Sequence, residues 1–449
     1  MPTALIVLAA GRGSRMLSDR AKVLHEVAHA PLLAHALRAG ESIAPERTVI
    51  VAGHDGDAVV AAARAHDPGA VVVRQTEQLG TAHAVAQARD ALAGFEGDVI
   101  VLYGDTPFIR PATLESMLAA RTAGADVVVL GFEAADPGRY GRLVAQGDRL
   151  ERIVEAKDAS AEELSIRLCN SGVIAADAGV LFSLLDQVGC DNAAGEYYLT
   201  DIIALARAGR MSARLVTCPE AETMGVNTRA DLAAAEAAFQ RRMRDEVMAT
   251  GATLTAPETV FFAHDTIVGH DVVIEPNVVF GPGVTLEDGA VIRAFSHLEG
   301  CRVAGACVVG PYARLRPGTE LARGARVGNF VEVKAARIAA GAKLNHLSYV
   351  GDADVGARAN IGAGTITCNY DGVFKHRTEI GAEAFIGSNT ALVAPVRVGA
   401  GAMTGSGSVV TEDVPDGALA LGRAKQINKD GLAARLMARL RMAKTRERN

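Results

Sequence analysis

The chain has no tryptophan, and aromatic residues fill only 4% of its 449 positions. An interior built on large flat side chains is therefore excluded, and small and branched residues must do the filling. The cysteines (Cys169, Cys190, Cys218, Cys301, Cys307, Cys368) show no CxxC pairing and no metal-ligand spacing. They favour free thiols in a cytoplasmic protein over a disulfide framework. Neither sign of charge dominates. A formal net charge of −6 makes no case for nucleic acid or a membrane surface as partner. Met1-Pro2-Thr3 lacks the basic region of a secretory leader. The apolar run Ala4–Ala10 is too short to cross a bilayer, so no membrane insertion is expected. This length favours two or three domains over one core.

What is present is a period of six. Apolar residues recur at Val268, Ile274, Phe280, Leu286, Ile292 and Leu298. After a one-residue slip they restart at Val303 and run through Val309, Leu315, Leu321, Val327 and Val333. Ile338, Leu344 and Val350 follow, and a last series is Ile380, Ile386, Leu392, Val398, Thr404, Val410. Six matches neither a helix nor simple alternation. It is the signature of a parallel β-helix, whose rungs must stack to bury their inward faces. Gly269, Gly281, Gly310, Gly328, Gly362, Gly387 and Gly399 follow apolar positions, and they are expected to supply backbone freedom at the corners.

Residues 1–227 read differently. Strands are expected at Ala4–Ala10, Thr48–Ala52, Ala70–Arg74, Asp98–Tyr103 and Asp126–Phe132, with helices such as Pro31–Ala39, Asp57–Ala65 and Ala82–Ala91 between them. This alternation implies an α/β sheet with ligands at the carboxyl ends of its strands. The first strand runs into Gly11-Arg12-Gly13-Ser14-Arg15-Met16. That turn lets backbone amides approach an anion, with Arg15 and Lys22 adding positive charge. It is neither a Walker loop nor a GxGxxG fingerprint. Asp105 closes another strand, where a carboxylate beside a triphosphate is a natural Mg²⁺ ligand.

Residues 228–250 read as a helical linker, with Leu232, Ala235, Phe239, Met243 and Val247 at helical spacing, and 251–449 as the β-helix domain. The six-residue pattern breaks at Thr367–Arg377, and loops interrupting repeat scaffolds tend to carry function. His346 sits near the polar cluster around that break. Repeats alone establish only a scaffold. The tail Ala424–Asn449 is basic and helical in pattern.

The segments Leu8–Met16, Lys22–His25, Gln78–His83, Tyr103–Asp105, Tyr140–Arg142, Ile153–Lys157, Gly195–Asp201 and Gly225–Asn227 occur in that order. They resemble the sugar-phosphate nucleotidylyltransferases. With Leu315–Glu320, Val327–Lys334, Leu344–Tyr349, Asn360–Gly372 and Gly387–Thr390, nearly the whole chain resembles the bifunctional bacterial N-acetylglucosamine-1-phosphate uridylyltransferase / glucosamine-1-phosphate N-acetyltransferase family. Ser14 stands where that family usually has Thr, and Cys169-Asn170-Ser171 where it often has an apolar residue, Asn and Thr.

The resemblance implies a Rossmann-like nucleotidyltransferase domain, a connecting helix and a left-handed parallel β-helix of hexapeptide repeats. It implies that Leu8, Ala9, Gly11, Gln75, Gly80, Thr81 and Tyr103 hold the nucleotide, with Arg15 and Lys22 on the UTP phosphates. Gly141, Glu155 and Asn170 would bind the N-acetylglucosamine moiety, and Asp105 and Asn227 would coordinate Mg²⁺. In the C-terminal half His346 would be the general base, with Glu332 orienting the imidazole or the substrate. Arg316, Lys334, Tyr349, Asn360 and Lys375 would bind glucosamine-1-phosphate. Asn369, Tyr370, Ser388, Ser406 and Arg423 would contact acetyl-CoA. The expected partners are these small molecules and N-acetylglucosamine-1-phosphate, in a homotrimer.

Overall fold

The structure is a computed structural model and describes every residue except Arg12, His54, Asp55, Ala193 and 447–449. Arg12 of the glycine-rich turn and the last residues of the basic tail thus lie outside the described residues. Two compact units emerge. The first is Met1–Asp245 with Phe262–His264, and the second is Glu246–Phe261 with Asp265–Asn449.

The first unit is a nine-stranded sheet. Its strands are β1 (Thr3–Ala9), β2 (Arg47–Ala52), β3 (Val71–Arg74), β4 (Asp98–Tyr103), β5 (Val127–Glu133), β6 (Arg142–Gln146), β7 (Arg149–Val154), β8 (Leu168–Asp177) and β9 (Ala213–Thr217). They lie in the order β3-β2-β1-β4-β8-β5-β9-β7-β6. β1 pairs in parallel with β2 and β4 and is buried along its whole length. Leu5, Val7 and Ala9 enter one apolar cluster, and Ala4, Ile6, Leu8 and Ala10 enter the other. An apolar strand is what a sheet covered on both sides demands. The strand–helix alternation holds, but β8 runs antiparallel between β4 and β5. A bulge between Asn170 and Ile174 shifts its register, which re-aims side chains at that point.

The helix Arg229–Ala249 forms where the apolar spacing predicts it, but it is not a free connector. Through Asp245 it belongs to the first unit, because Ala235 and Phe239 bury against Met16, Val27, Leu32, Phe108 and Val226. Gln240 clamps the returning chain. Its amide donates to the Phe262 carbonyl at 2.7 Å and its oxygen accepts from the Phe262 amide at 2.8 Å.

The second unit is a prism with three parallel sheets of ten, eight and eight strands among the described residues, the left-handed β-helix of hexapeptide repeats that the period of six implies. Most strands, of two to four residues, face partners seventeen or eighteen residues away, one coil on, and those spanning the inserted loop face partners twenty-five away. Inward positions of the repeat are closed off: Ile274, Phe280, Ile292, Val309, Leu315, Val333, Leu344 and Ile386 are all 0% exposed. Between Val350 and Ile380 the repeat continues through Val355, Ile361 and Thr367, all buried. Thr367 substitutes for an apolar residue because its hydroxyl donates to the Gly351 carbonyl at 3.0 Å.

The corner glycines serve a different purpose from the expected one. Among the seven, only Gly310 has positive φ. Left-handed corners are occupied by other glycines, Gly283, Gly289 and Gly341 among them, and by residues such as Phe295, Tyr312, Phe330, Leu347 and Asn389. At Gly362 and Gly387 a Cβ would sit 2.6 and 2.5 Å from carbonyl oxygens of the next coil. Glycine is needed there for close approach of stacked backbones.

Leu344→Ala removes a buried side chain from the coil interior. It should cost the prism about 2–5 kcal/mol, read as a lower denaturant midpoint by amide exchange in the surrounding coils. An unmoved midpoint would show that the interior is loosely filled.

Candidate active sites

In the first unit a cleft of about 300 Å³ opens at the carboxyl ends of β1 and β4. Leu8, Gly11, Lys22, Gln75, Gly80, Thr81, Tyr103 and Asp105 line it, as expected, together with Ala10, Val23, Gln78, Ala84 and Glu196. Ala9 does not, because alternation along β1 turns its side chain to the opposite apolar cluster. Gln78 closes one wall by donating to the Ala10 carbonyl at 2.5 Å. It lies inside the Gln78–His83 segment but was not singled out.

Lys22 sets the electrostatics. Its ammonium pairs with the Asp105 carboxylate and lies 3.0 Å from the Asn227 carboxamide oxygen. Arg15 donates to that same Asn227 oxygen at 2.9 Å. Two hard oxygens thus converge on one cationic position. That donor set suits Mg²⁺, which takes one or two protein oxygens and completes its shell with water and phosphate.

Deeper in, Gly141, Glu155 and Asn170 come together. The Asn170 amide donates to the Gly141 carbonyl at 2.8 Å, and the Glu155 carboxylate lies 3.5 Å from where a Gly141 Cβ would be. The antiparallel pairing of Cys169 in β8 with Arg142 in β6 makes this possible. Gly172 at φ +90° leaves room for the Tyr103 ring, which would lie 2.6 Å from a Cβ there. Burial raises the Tyr103 hydroxyl, reinforced by the Asp105 and Glu155 carboxylates. Tyr103 therefore bridges the cationic position and the Gly141–Asn170 group. Burial also holds the Glu155 carboxyl above its ordinary value, opposed by the Thr200 hydroxyl.

In the second unit His346 ends the strand Lys343–His346 and is exposed, on a cleft of about 290 Å³ with Arg293, Arg326, Asn329 and Asn345. Its Nδ1 lies 2.7 Å from Asn329 Oδ1. Glu332 is engaged elsewhere, accepting from Arg316 at 2.9 Å. Asn329 stands at the imidazole, while Glu332, expected to orient the imidazole or the substrate, holds Arg316, a residue expected on that substrate.

Lys334, Tyr349 and Lys375 gather around Asp352, which lies 3.7 Å from Lys334 and also binds Asn369. The Lys334 ammonium beside it lowers Lys375, and Asp352 opposes that shift. Two ammonium groups against one carboxylate leave a net positive hollow suited to a phosphate. Asp352 went unremarked in the sequence, where a lone Asp has no spacing to mark it. Asn369, expected among the acetyl-CoA contacts, borders this cluster, with the Tyr349 hydroxyl and its own carboxamide both close to Gly351. Tyr370 is bridged to Lys375 across the loop, whose turn Asp371 holds by accepting from the Val373 and Phe374 amides and from His376.

Asn360 pairs beside Lys343 and Phe385 on the face that carries His346. Ser388, Ser406 and Arg423 form a separate ladder. The Gly407 amide donates to the Ser388 carbonyl at 2.8 Å, and Arg423 donates to the Ser406 carbonyl at 2.9 Å.

Known proteins match this arrangement over both units. A family profile described as MobA-like NTP transferase domain matches residues 5–168, and one described as bacterial transferase hexapeptide (six repeats) matches 265–300. Bifunctional protein GlmU of Ruegeria sp. (strain TM1040) is 66% identical over 444 residues, 99% of each chain. This chain belongs to the GlmU family. The GlmU proteins of Jannaschia sp. (strain CCS1) and Cereibacter sphaeroides (strain ATCC 17025 / ATH 2.4.3) are 63% and 66% identical over 99% and 98% of this chain, and each match covers 97% of the relative. As a GlmU protein the chain is a bifunctional enzyme, a uridylyltransferase in its N-terminal part and an acetyltransferase in its hexapeptide part. No helix among its described residues is long and apolar enough to cross a membrane.

The raised Glu155 carboxyl carries a pH signature. If its ionised form accepts a hydrogen bond from the sugar, kcat/KM for the sugar phosphate in uridylyl transfer is full above that raised value. It is then lost as pH falls through it, above the ordinary carboxylate value of about 4.3. Glu155→Gln should remove this limb and lower kcat/KM about tenfold to a hundredfold, a charged hydrogen bond's worth of about 1.5–3 kcal/mol. A pH profile identical in the variant would refute the assignment.

Proposed function

We propose that the prism transfers the acetyl group of acetyl-CoA to glucosamine-1-phosphate and that the α/β unit then transfers uridylyl from UTP to the product, giving UDP-N-acetylglucosamine and pyrophosphate. The observation that carries this reading is the separation of the constellations. Each compact unit holds its own, with no residue shared.

On the α/β unit, Leu8, Gly11, Gln75, Gly80 and Thr81 receive the nucleotide, while Gly141, Glu155 and Asn170 receive the sugar. The sugar-1-phosphate oxygen attacks the α-phosphorus of UTP, the new P–O bond forms and pyrophosphate leaves. Such a transfer depends on positioning and on neutralising phosphate charge. Mg²⁺ held by Asp105 and Asn227 would supply part of that neutralisation. Lys22, released from those oxygens, and Arg15 supply the rest.

On the prism, Arg316, Lys334, Tyr349 and Asn360 receive glucosamine-1-phosphate, the two cations meeting its phosphate, with Lys375 from the loop beside the sugar. Asn369, Tyr370, Ser388, Ser406 and Arg423 receive acetyl-CoA. The sugar amine attacks the thioester carbonyl, a C–N bond forms and the C–S bond breaks. His346 takes the amine proton, and coenzyme A leaves as its thiol. Imidazole suits this because it exchanges a proton near neutral pH.

A homotrimer fits the prism surface. The stacked, half-exposed rings of Phe295, Tyr312 and Phe330, with centroids 4.9 and 5.2 Å apart, stand one residue beyond the Asn329–His346 row. A neighbouring prism covering them would also close the His346 cleft. All six cysteines are free thiols, which suits a cytoplasmic setting.

His346→Ala should lower acetyl transfer by about 10²–10⁴-fold and leave uridylyl transfer intact. Asp105→Asn should lower uridylyl transfer by about 10²–10³-fold and leave acetylation intact. Both activities assayed on each purified variant decide the matter, and joint loss in either one defeats the proposal of two separable centres.

A further inference from the structure

We infer that Asn329 is a positioning residue for acetyl transfer, its carboxamide oxygen fixing both the tautomer and the orientation of the His346 imidazole. The inference rests on His346 being the base. Asn329 and His346 occupy one register position on consecutive coils, at the ends of the strands Arg326–Asn329 and Lys343–His346. The backbone holds them there, because the Leu347 amide donates to the Asn329 carbonyl at 3.0 Å. Nδ1 and the carboxamide oxygen are 2.7 Å apart, and the ring has no other hydrogen-bond partner among the described residues.

An amide oxygen only accepts. Nδ1 must therefore carry the proton, and Nε2 keeps the lone pair that receives the proton of the attacking amine. Both residues line the same cleft, so Nε2 stays available to a substrate there. The choice of amide over carboxylate also matters. A carboxylate at this position would stabilise the imidazolium and keep the ring protonated to higher pH. A neutral acceptor orients the ring without adding a charge beside it.

The test uses the full chain with Asn329→Ala, Asn329→Asp, His346→Ala and the double variant His346→Ala/Asn329→Ala, each assayed for acetyl transfer across pH. Asn329→Ala should lower kcat about 10–100-fold, the usual cost of losing an orienting partner, with KM for both substrates nearly unchanged. Asn329→Asp, which keeps the shape and the acceptor, should recover most of the rate at high pH, with the acid limb displaced to higher pH. The double variant should be no slower than His346→Ala, because a residue acting only through the ring adds nothing once the ring is gone. Unaltered kcat and pH profile in Asn329→Ala, beside an inactive His346→Ala, would overturn this inference alone. Full activity in His346→Ala would overturn the base assignment with it. Should Asn329→Ala not fold, an unmoved acid limb in the isosteric Asn329→Asp is equally decisive against it.

Discussion

Pairing between successive coils is the interaction on which the C-terminal half depends. A strand of two residues, such as Val273–Ile274, has no stability by itself. It persists because the coils on either side satisfy its amides and carbonyls and its inward side chain finds partners from the same neighbours. That dependence makes the prism stiff, and the stiffness gives its surface chemistry meaning. A side chain at the end of one strand stands over its counterpart one coil away, as His346 stands over Asn329. Ser388 and Ser406 run down a similar ladder.

The α/β unit solves a different problem with the same economy. Its parallel strands end at one edge, where Leu8, Tyr103 and Asp105 converge. Charge is gathered there before any nucleotide arrives. Lys22 sits against Asp105 and Asn227, so the cationic position is already formed in protein oxygens and in register with Arg15. The antiparallel strand β8, with its bulge, carries Asn170 alongside Gly141. It forms the second wall of the same edge.

Much of this was legible in the residues. The buried strands announce themselves because a sheet covered on both faces needs apolar residues at every position, and Ala4–Ala10 shows it. The hexads announce the prism, and the break after Thr367 announces the loop. What escaped reading depends on partners distant in sequence. β8 looks like any half-polar strand, and its place between β4 and β5 is set by tertiary pairing. The long helix follows its apolar spacing, but the spacing does not say that its partners are Met16, Val27 and Phe108. Glycines such as Gly362 and Gly387 are visible, yet their reason is the closeness of the next coil and not their own torsions. Asn329 could have been found: the slip between Val333 and Ile338 sets that coil at seventeen residues, which places it over His346.

The nearly constant length of each coil also limits how such a chain can change length. Adding or losing a residue inside a strand would throw every later ladder out of alignment. The material between Cys368 and Thr378 shows the permitted alternative: a detour taken wholly at a corner, after which the winding resumes in step. Evolution of this architecture is thereby channelled into two currencies, entire windings and corner excursions, and new recognition features should accumulate at corners while the walls keep count.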